Sequence, residues 1–178
     1  MNTREPTDES LMASYVTAKD RSAFEALYRR HAPKLYAFFR RTVRSDHVAQ
    51  DLTQQTFLHL HRARRDYRQG RPLRPWLYTI AVNVRRQHVR TRMRRPEAPI
   101  EAAAEPSTGP GVSTATDRLV RRALEELPEG QREVVVLHWY QGLSFAEIAE
   151  AVGASRSAVK VRAHRAYNRL RELLKEDT

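Results

Sequence analysis

The chain has 178 residues, a net charge of +11 and no cysteine. A disulfide framework and a thiolate metal site are therefore excluded, and the length suits one domain or two small ones. No run reaches the roughly 18 apolar residues of a membrane span, and residues 1–10 lack the apolar core of a signal peptide, so a cytoplasmic protein is expected.

Helix formers dominate, and no alternating β-branched run suggests a sheet, so the fold is expected to be all-α. Leu11–Thr17 and Arg21–Arg30 read as short helices, the second with Phe24, Leu27 and Tyr28 on its apolar face. Pro33–Val43 reads as a third, bearing Leu35, Tyr36, Phe38 and Phe39. Ser45-Asp46 can cap a long helix to about Ala63, in which Val48, Leu52, Thr56, Phe57 and Leu60 recur with helical period. Residues 64–72 read as a basic loop, and a last helix runs from about Arg74 to Arg94 with Pro75 in its first turn. Trp76, Leu77, Ile80, Ala81 and Val84 face inward on it, whereas Asn83, Arg86, Gln87, Arg90 and Arg94 share another side. Short helices with apolar faces predict a compact N-terminal bundle over residues 10–95.

Residues 96–116 hold proline, glycine and alanine with almost nothing to bury, and read as a flexible, mildly acidic tether. The twenty residues 96–115 can stretch to roughly 65–70 Å. The basic excess lies just before it: residues 62–95 contain twelve arginines and one acid, Asp66. A planar guanidinium suits phosphate and guanine edges, so this window points to a polyanionic partner.

Residues 117–178 predict a second domain of four helices. Asp117 is placed to cap Arg118–Leu127, Pro128 ends that helix, and Gln131–Tyr140 forms the next. Ser144 with Glu147 has capping-box spacing, Ile148, Ala149 and Val152 supply a buried side, and Gly153 permits a left-handed end. Ser155 can cap a final helix that carries six basic residues and no acid as far as Arg171. At 100° per residue, Val159, Ala163, Ala166, Tyr167, Leu170 and Leu174 gather on its inner face. Ser157, Val161, His164, Arg165 and Asn168 fall opposite, flanked by Lys160 and Arg171. A tight turn before a cationic second helix is the pattern of a helix-turn-helix that enters a DNA groove.

Catalysis has no support here. His59 and His61 diverge on their helix, His88 lacks a partner at helical spacing, and no phosphate loop, nucleophile motif or paired carboxylates occur. No metal, cofactor or enzymatic activity is expected.

Asp51-Leu-Thr-Gln-Gln-Thr-Phe57, followed by Trp76-Leu-Tyr-Thr-Ile-Ala-Val-Asn83, resembles the first domain of the extracytoplasmic-function sigma factors, the two-domain members of the sigma-70 family. Leu124-x-x-Leu-Pro128, Arg132-Glu133, Leu143-Ser144, Glu147-Ile-Ala149 and Val159-Lys160 resemble the second. The resemblance implies that residues 10–95 bind the β′ coiled-coil of core RNA polymerase and read and melt the −10 promoter element. It implies that residues 117–178 bind the β-flap and read the −35 element, and that an anti-sigma factor controls the protein. Asp51, Gln54 and Gln55 become the polymerase-binding candidates, with Gln55 standing where the family has an acid. Tyr67, Arg68 and Gln69 become candidates for trapping an unpaired base, since stacking and phosphate contacts offset unstacking. Asn83, Arg86, Gln87 and Arg90 become contacts to the edge of the −10 duplex. Arg156, Ser157, Lys160, Val161, Arg162, His164 and Arg165 are placed to meet the −35 groove, with Arg162 and Arg169 on phosphates. A stand-alone regulator that binds operator DNA is the alternative that the residues alone leave open.

Overall fold

The computed structural model describes residues 5–43, 45–94 and 115–176, and every regular element among them is helical. Most of the expected tether, residues 96–114, lies outside the described residues, while Ala115 and Thr116 already belong to a helix.

Four helices form the N-terminal unit: α1 (Asp8–Ala18), α2 (Arg21–Val43), α3 (Asp46–Arg62) and α4 (Leu73–Arg94). Thr7 caps α1 by accepting from the Ser10 amide at 3.2 Å, and Asp20 accepts from the Ser22 amide at 2.9 Å to start α2. Ser45 caps α3 as its position predicts, accepting from the Val48 amide. The two helices expected on either side of Pro33 are instead one. An internal proline removes a hydrogen bond and costs about 3 kcal/mol. Pro33 and Arg29, whose carbonyl loses its partner, are both exposed, so water can take its place. Leu27, Leu35, Phe38 and Phe39, all essentially fully buried, flank the proline, and their burial outweighs the loss at roughly 1.5–3 kcal/mol each.

The basic loop contains a short 3₁₀ turn, Arg64–Asp66, and then Tyr67, which is only 6 % exposed. Its ring packs on Trp76 at 5.3 Å and its hydroxyl donates to the Arg71 carbonyl. The loop is therefore folded around its own aromatic residue.

The C-terminal unit comprises α5 (Ala115–Glu125), α6 (Glu129–Val135), a π-helical turn (Val136–Tyr140), α7 (Phe145–Val152) and α8 (Arg156–Glu176). Asp117, expected as a cap, lies inside the first turn of α5. The capping box at Ser144 and Glu147 forms in both directions, and Gly153 ends α7 with φ 65°. Ser155 accepts from the Ala158 amide at 3.2 Å and so caps α8. Arg132 closes the end of α5, donating to the Leu124, Glu125 and Leu127 carbonyls. Leu124, Leu127, Val135 and Ala166 form a small core beneath α8.

The larger core does not stop at the boundary between the units. It runs from Leu27, Phe38 and Leu77 through to Val134, Leu137, Ile148 and Val152, because α4 lies directly against α7.

One ion group fastens α1 to α2. Asp8 receives Arg30 at 2.9 Å and His31 at 2.8 Å, and His31 is almost completely buried. Burial pushes the His31 ring below its ordinary value of 6.5, outweighing the attraction of Asp8. The unfolded chain therefore protonates this ring first, so its contribution is complete above about pH 6.5 and is lost as pH falls below that value. Thermal denaturation followed between about pH 7.5 and 5.5 should show a falling Tm, and His31→Gln should flatten that slope.

Candidate nucleic-acid interface

Helix α8 presents its cationic strip as the 100° period requires. Val159, Ala163 and Ala166 are buried on one side, while Arg156, Ser157, Lys160, Val161, His164 and Arg165 are exposed on the other. Arg162 is half-buried at the flank. The buried side meets α6 and α7, so α8 is held along its length while its outer face stays open. Val161 is 49 % exposed, an aliphatic side chain among cations. Such a side chain has one apolar counterpart in the major groove, the thymine methyl.

A relay of side chains runs along the same face. Arg171 donates to the Asn168 amide oxygen at 3.2 Å, which leaves the Asn168 NH₂ to donate to His164 Nε2 at 3.1 Å. Arg169 instead pairs with Glu172 at 3.4 Å, an exposed contact worth little.

The arginine helix α4 is divided. Asn83, Gln87 and Arg90 are exposed on one stripe. Arg86, expected on that stripe, turns toward the C-terminal unit, donating to Glu133 at 3.1 Å and to the Val152 carbonyl at 2.9 Å. Its neighbour Arg85 is 2 % exposed and meets Glu129 and Glu133, each at 2.7 Å. Sequence reasoning missed Arg85; the available signal was an arginine beside Val84 and one turn from Ala81, on a face otherwise apolar. Tyr67 is not available as a stacking platform in this structure, since its ring is enclosed, whereas Arg68 and Gln69 are exposed beside it.

On α3, Asp51, Gln54 and Gln55 are exposed within one turn, with Leu52, Thr53, Thr56 and Phe57 buried behind them. Gln54 borders a shallow apolar groove against α2 that exposes Tyr28 and Leu58. No group of three metal-ligating side chains occurs among the described residues, and none of their helices is long and apolar enough to cross a membrane.

Two separate family models match the two units. The model described as sigma-70 region 2 covers residues 27–95, and that described as sigma-70 region 4 covers residues 117–170. The chain is a sigma-70 family sigma factor. Its relatives place it in the extracytoplasmic-function branch. It is 41 % identical over 160 residues to the RNA polymerase sigma factor CarQ of Myxococcus xanthus, covering 86 % of this chain and 90 % of that one. It is 36 % identical over 170 residues to the extracytoplasmic-function sigma factor SigM of Mycobacterium tuberculosis, covering 96 % and 86 %. Among solved structures it resembles CnrH, determined with the cytosolic domain of CnrY (TM-score 0.73, 28 % identity, 96 % and 99 % covered). It also resembles the sigma factor RpoE of Bartonella quintana, determined with the anti-sigma factor NepR (TM-score 0.75, 29 % identity, 87 % and 98 % covered).

The sigma factor thus brings its cationic residues to two different situations, open on α8 and partly enclosed on α4. The folded loop gives a direct check. Tyr67→Ala should destabilise the protein by about 3 kcal/mol or more, as loss of a buried ring does, whereas Arg68→Ala should leave the melting curve within about 0.5 kcal/mol of the parent. Urea denaturation followed by helical circular dichroism distinguishes the two.

Proposed function

We propose that residues 10–95 dock on core RNA polymerase through Asp51, Gln54 and Gln55 and engage the −10 element through α4 and the Arg68-Gln69 loop. Residues 117–178 engage the −35 element through α8. As a sigma factor the chain directs promoter-specific initiation; these assignments give that activity to particular residues. The observation that carries the reading is the open, acid-free face of α8 from Arg156 to Arg165, held rigid by the capping box, the left-handed Gly153 and the buried Val159 and Ala163.

Each contact type has a separate role. Arg162 and Arg169 meet phosphates, which fixes register and makes binding depend on salt, while Arg156 enters the groove at the start of α8. Ser157, Lys160, Val161, His164 and Arg165 lie where base edges pass, with Lys160 and Arg165 suited to guanine O6 and N7. On α4, Asn83, Gln87 and Arg90 approach the −10 duplex edge. The exposed α2–α3 groove, with Tyr28 and Leu58 at its lip, suits the apolar side of a partner helix. We assign an anti-sigma partner to this sigma factor on that groove and on the complexes known for its structural relatives. A cytoplasmic location follows from a partner that works on chromosomal DNA.

Two measurements check the assignment. Run-off transcription with core polymerase should fall at least about tenfold in the double variant Lys160→Ala/Arg165→Ala, at the cost of two charged base contacts, while co-migration with polymerase stays intact. Loss of that co-migration would show that α8 is misassigned, and tight duplex binding by the free protein without transcripts would favour a stand-alone regulator. Replacing each −35 thymine in turn by uracil removes only its methyl group. One such change should weaken open-complex formation by about three- to tenfold in the parent and have no effect in Val161→Ala.

A further inference from the structure

Helix α4 begins without a cap of its own. Pro72, the residue before it, has no polar side-chain atom, Pro75 has no amide hydrogen, and no acid stands in the first turn. The first amides of a helix need an acceptor, and the helix dipole favours an anion there. The acceptor comes from another helix: Glu9 of α1 receives the Leu73 amide at 3.1 Å, from 64 positions away in the chain. Leu73 is fully buried, which makes an unpaired amide at this position costly.

This contact lies at the base of the Arg68-Gln69 loop. On the near side the loop is anchored by Tyr67, whose ring is enclosed against Trp76 and whose hydroxyl donates to the Arg71 carbonyl. The Arg71 amide donates to the Arg68 carbonyl at 3.1 Å and closes a turn in which Gly70 takes φ 82°. Leu73 follows two positions later. Arg68 and Gln69 therefore stand at the tip of a turn tied on one side by Tyr67 and on the other by Glu9. Burial holds the Tyr67 hydroxyl above its ordinary range, and the Glu9 and Asp8 carboxylates add to this, so the group stays protonated and keeps donating.

Glu9 is itself held in place. Its neighbour Asp8 binds Arg30 and His31 on α2, and Leu11 and Met12 are buried in the core one turn further along. Helix α1 lies before residues 27–95, the span of the region 2 model, so that match gives Glu9 no role. A carboxylate beside a loop that meets phosphates weakens the attraction for DNA. Holding the loop is the contribution that offsets it.

We propose that Glu9 is a positioning residue for promoter melting: by capping α4 from α1 it presets the Arg68-Gln69 turn in the conformation that receives an unpaired base of the −10 strand. The proposal rests on the assignment of that loop to the −10 element. A turn that is ordered beforehand avoids the cost of ordering its side chains on binding, an effect of roughly three- to tenfold.

The test uses holoenzyme assembled from core polymerase and the full chain, on a promoter that it transcribes, with 2-aminopurine in the −10 element to report unstacking. Glu9→Ala removes acceptor and charge, whereas Glu9→Gln removes the charge and keeps an acceptor. The opening rate should fall about three- to tenfold in Glu9→Ala and stay within about twofold of the parent in Glu9→Gln, with polymerase binding intact in both. In the free protein, amide exchange over residues 68–73 should quicken at least about tenfold in Glu9→Ala and much less in Glu9→Gln. Arg68→Ala/Gln69→Ala should also slow opening, and adding Glu9→Ala to it should slow it little further, because the preset turn then has nothing to present. An unchanged opening rate or unchanged exchange in Glu9→Ala would overturn the proposal. So would equal slowing by Glu9→Gln, which would point to charge in place of capping, or a full further slowing on top of the loop variant. If Arg68→Ala/Gln69→Ala itself opens the promoter at the parent rate, the −10 assignment of the loop fails and takes the proposal with it.

Discussion

Helix α4 has too much to bury and too much charge to bury it all. Leu77, Tyr78, Ala81, Val82 and Val84 enter the core, and Arg85 enters with them. A guanidinium at 2 % exposure is tolerable only beside an anion in good geometry. Glu133 and Glu129 come from the other unit to supply it, so the electrostatic requirement of one helix fixes where the C-terminal unit sits. Most of what distinguishes this structure from two independent domains follows from that single constraint.

The same constraint separates the two nucleic-acid surfaces in kind. On α8, small inner residues such as Ala163 and Ala166 allow close packing, and the long cationic residues are left to solvent. On α4, adjacent arginines have opposite fates: Arg85 is enclosed, Arg86 is drawn across the seam, and Arg90 is open. Their charge adds to the summed field that attracts DNA from a distance, whichever side chain each arginine is paired with. Short-range readout requires the side chain itself. Net charge and contact competence are therefore different properties of this helix.

Much of the fold was legible because it is local. The Ser144–Glu147 box, the Gly153 end, the Ser45 cap and the inner face of α8 are each written within a few residues, and each formed as read. Pro33 misled because proline reports the loss of one hydrogen bond and says nothing of the apolar residues that hold both flanks of α2 in place. Tyr67 misled for a related reason. Its polar neighbours suggest a solvent-facing loop, but Trp76 offers a ring to pack on and Arg71 an acceptor, and neither is predictable from composition.

Family membership was also readable in short motifs, since the residues that carry it lie in order along the chain. By itself the sequence determined an all-helical protein, its caps and turns, the cationic strip on the last helix and the sigma-factor identity, because these depend on periodicity and on neighbours a few positions apart. Only the tertiary structure decided that Arg85 and Glu133, 48 positions apart, meet in the interior, that Arg86 faces the second unit, and that Tyr67 is enclosed. Those outcomes depend on which surfaces are left to cover one another once the helices exist, and that choice is made by burial and charge pairing across the whole molecule.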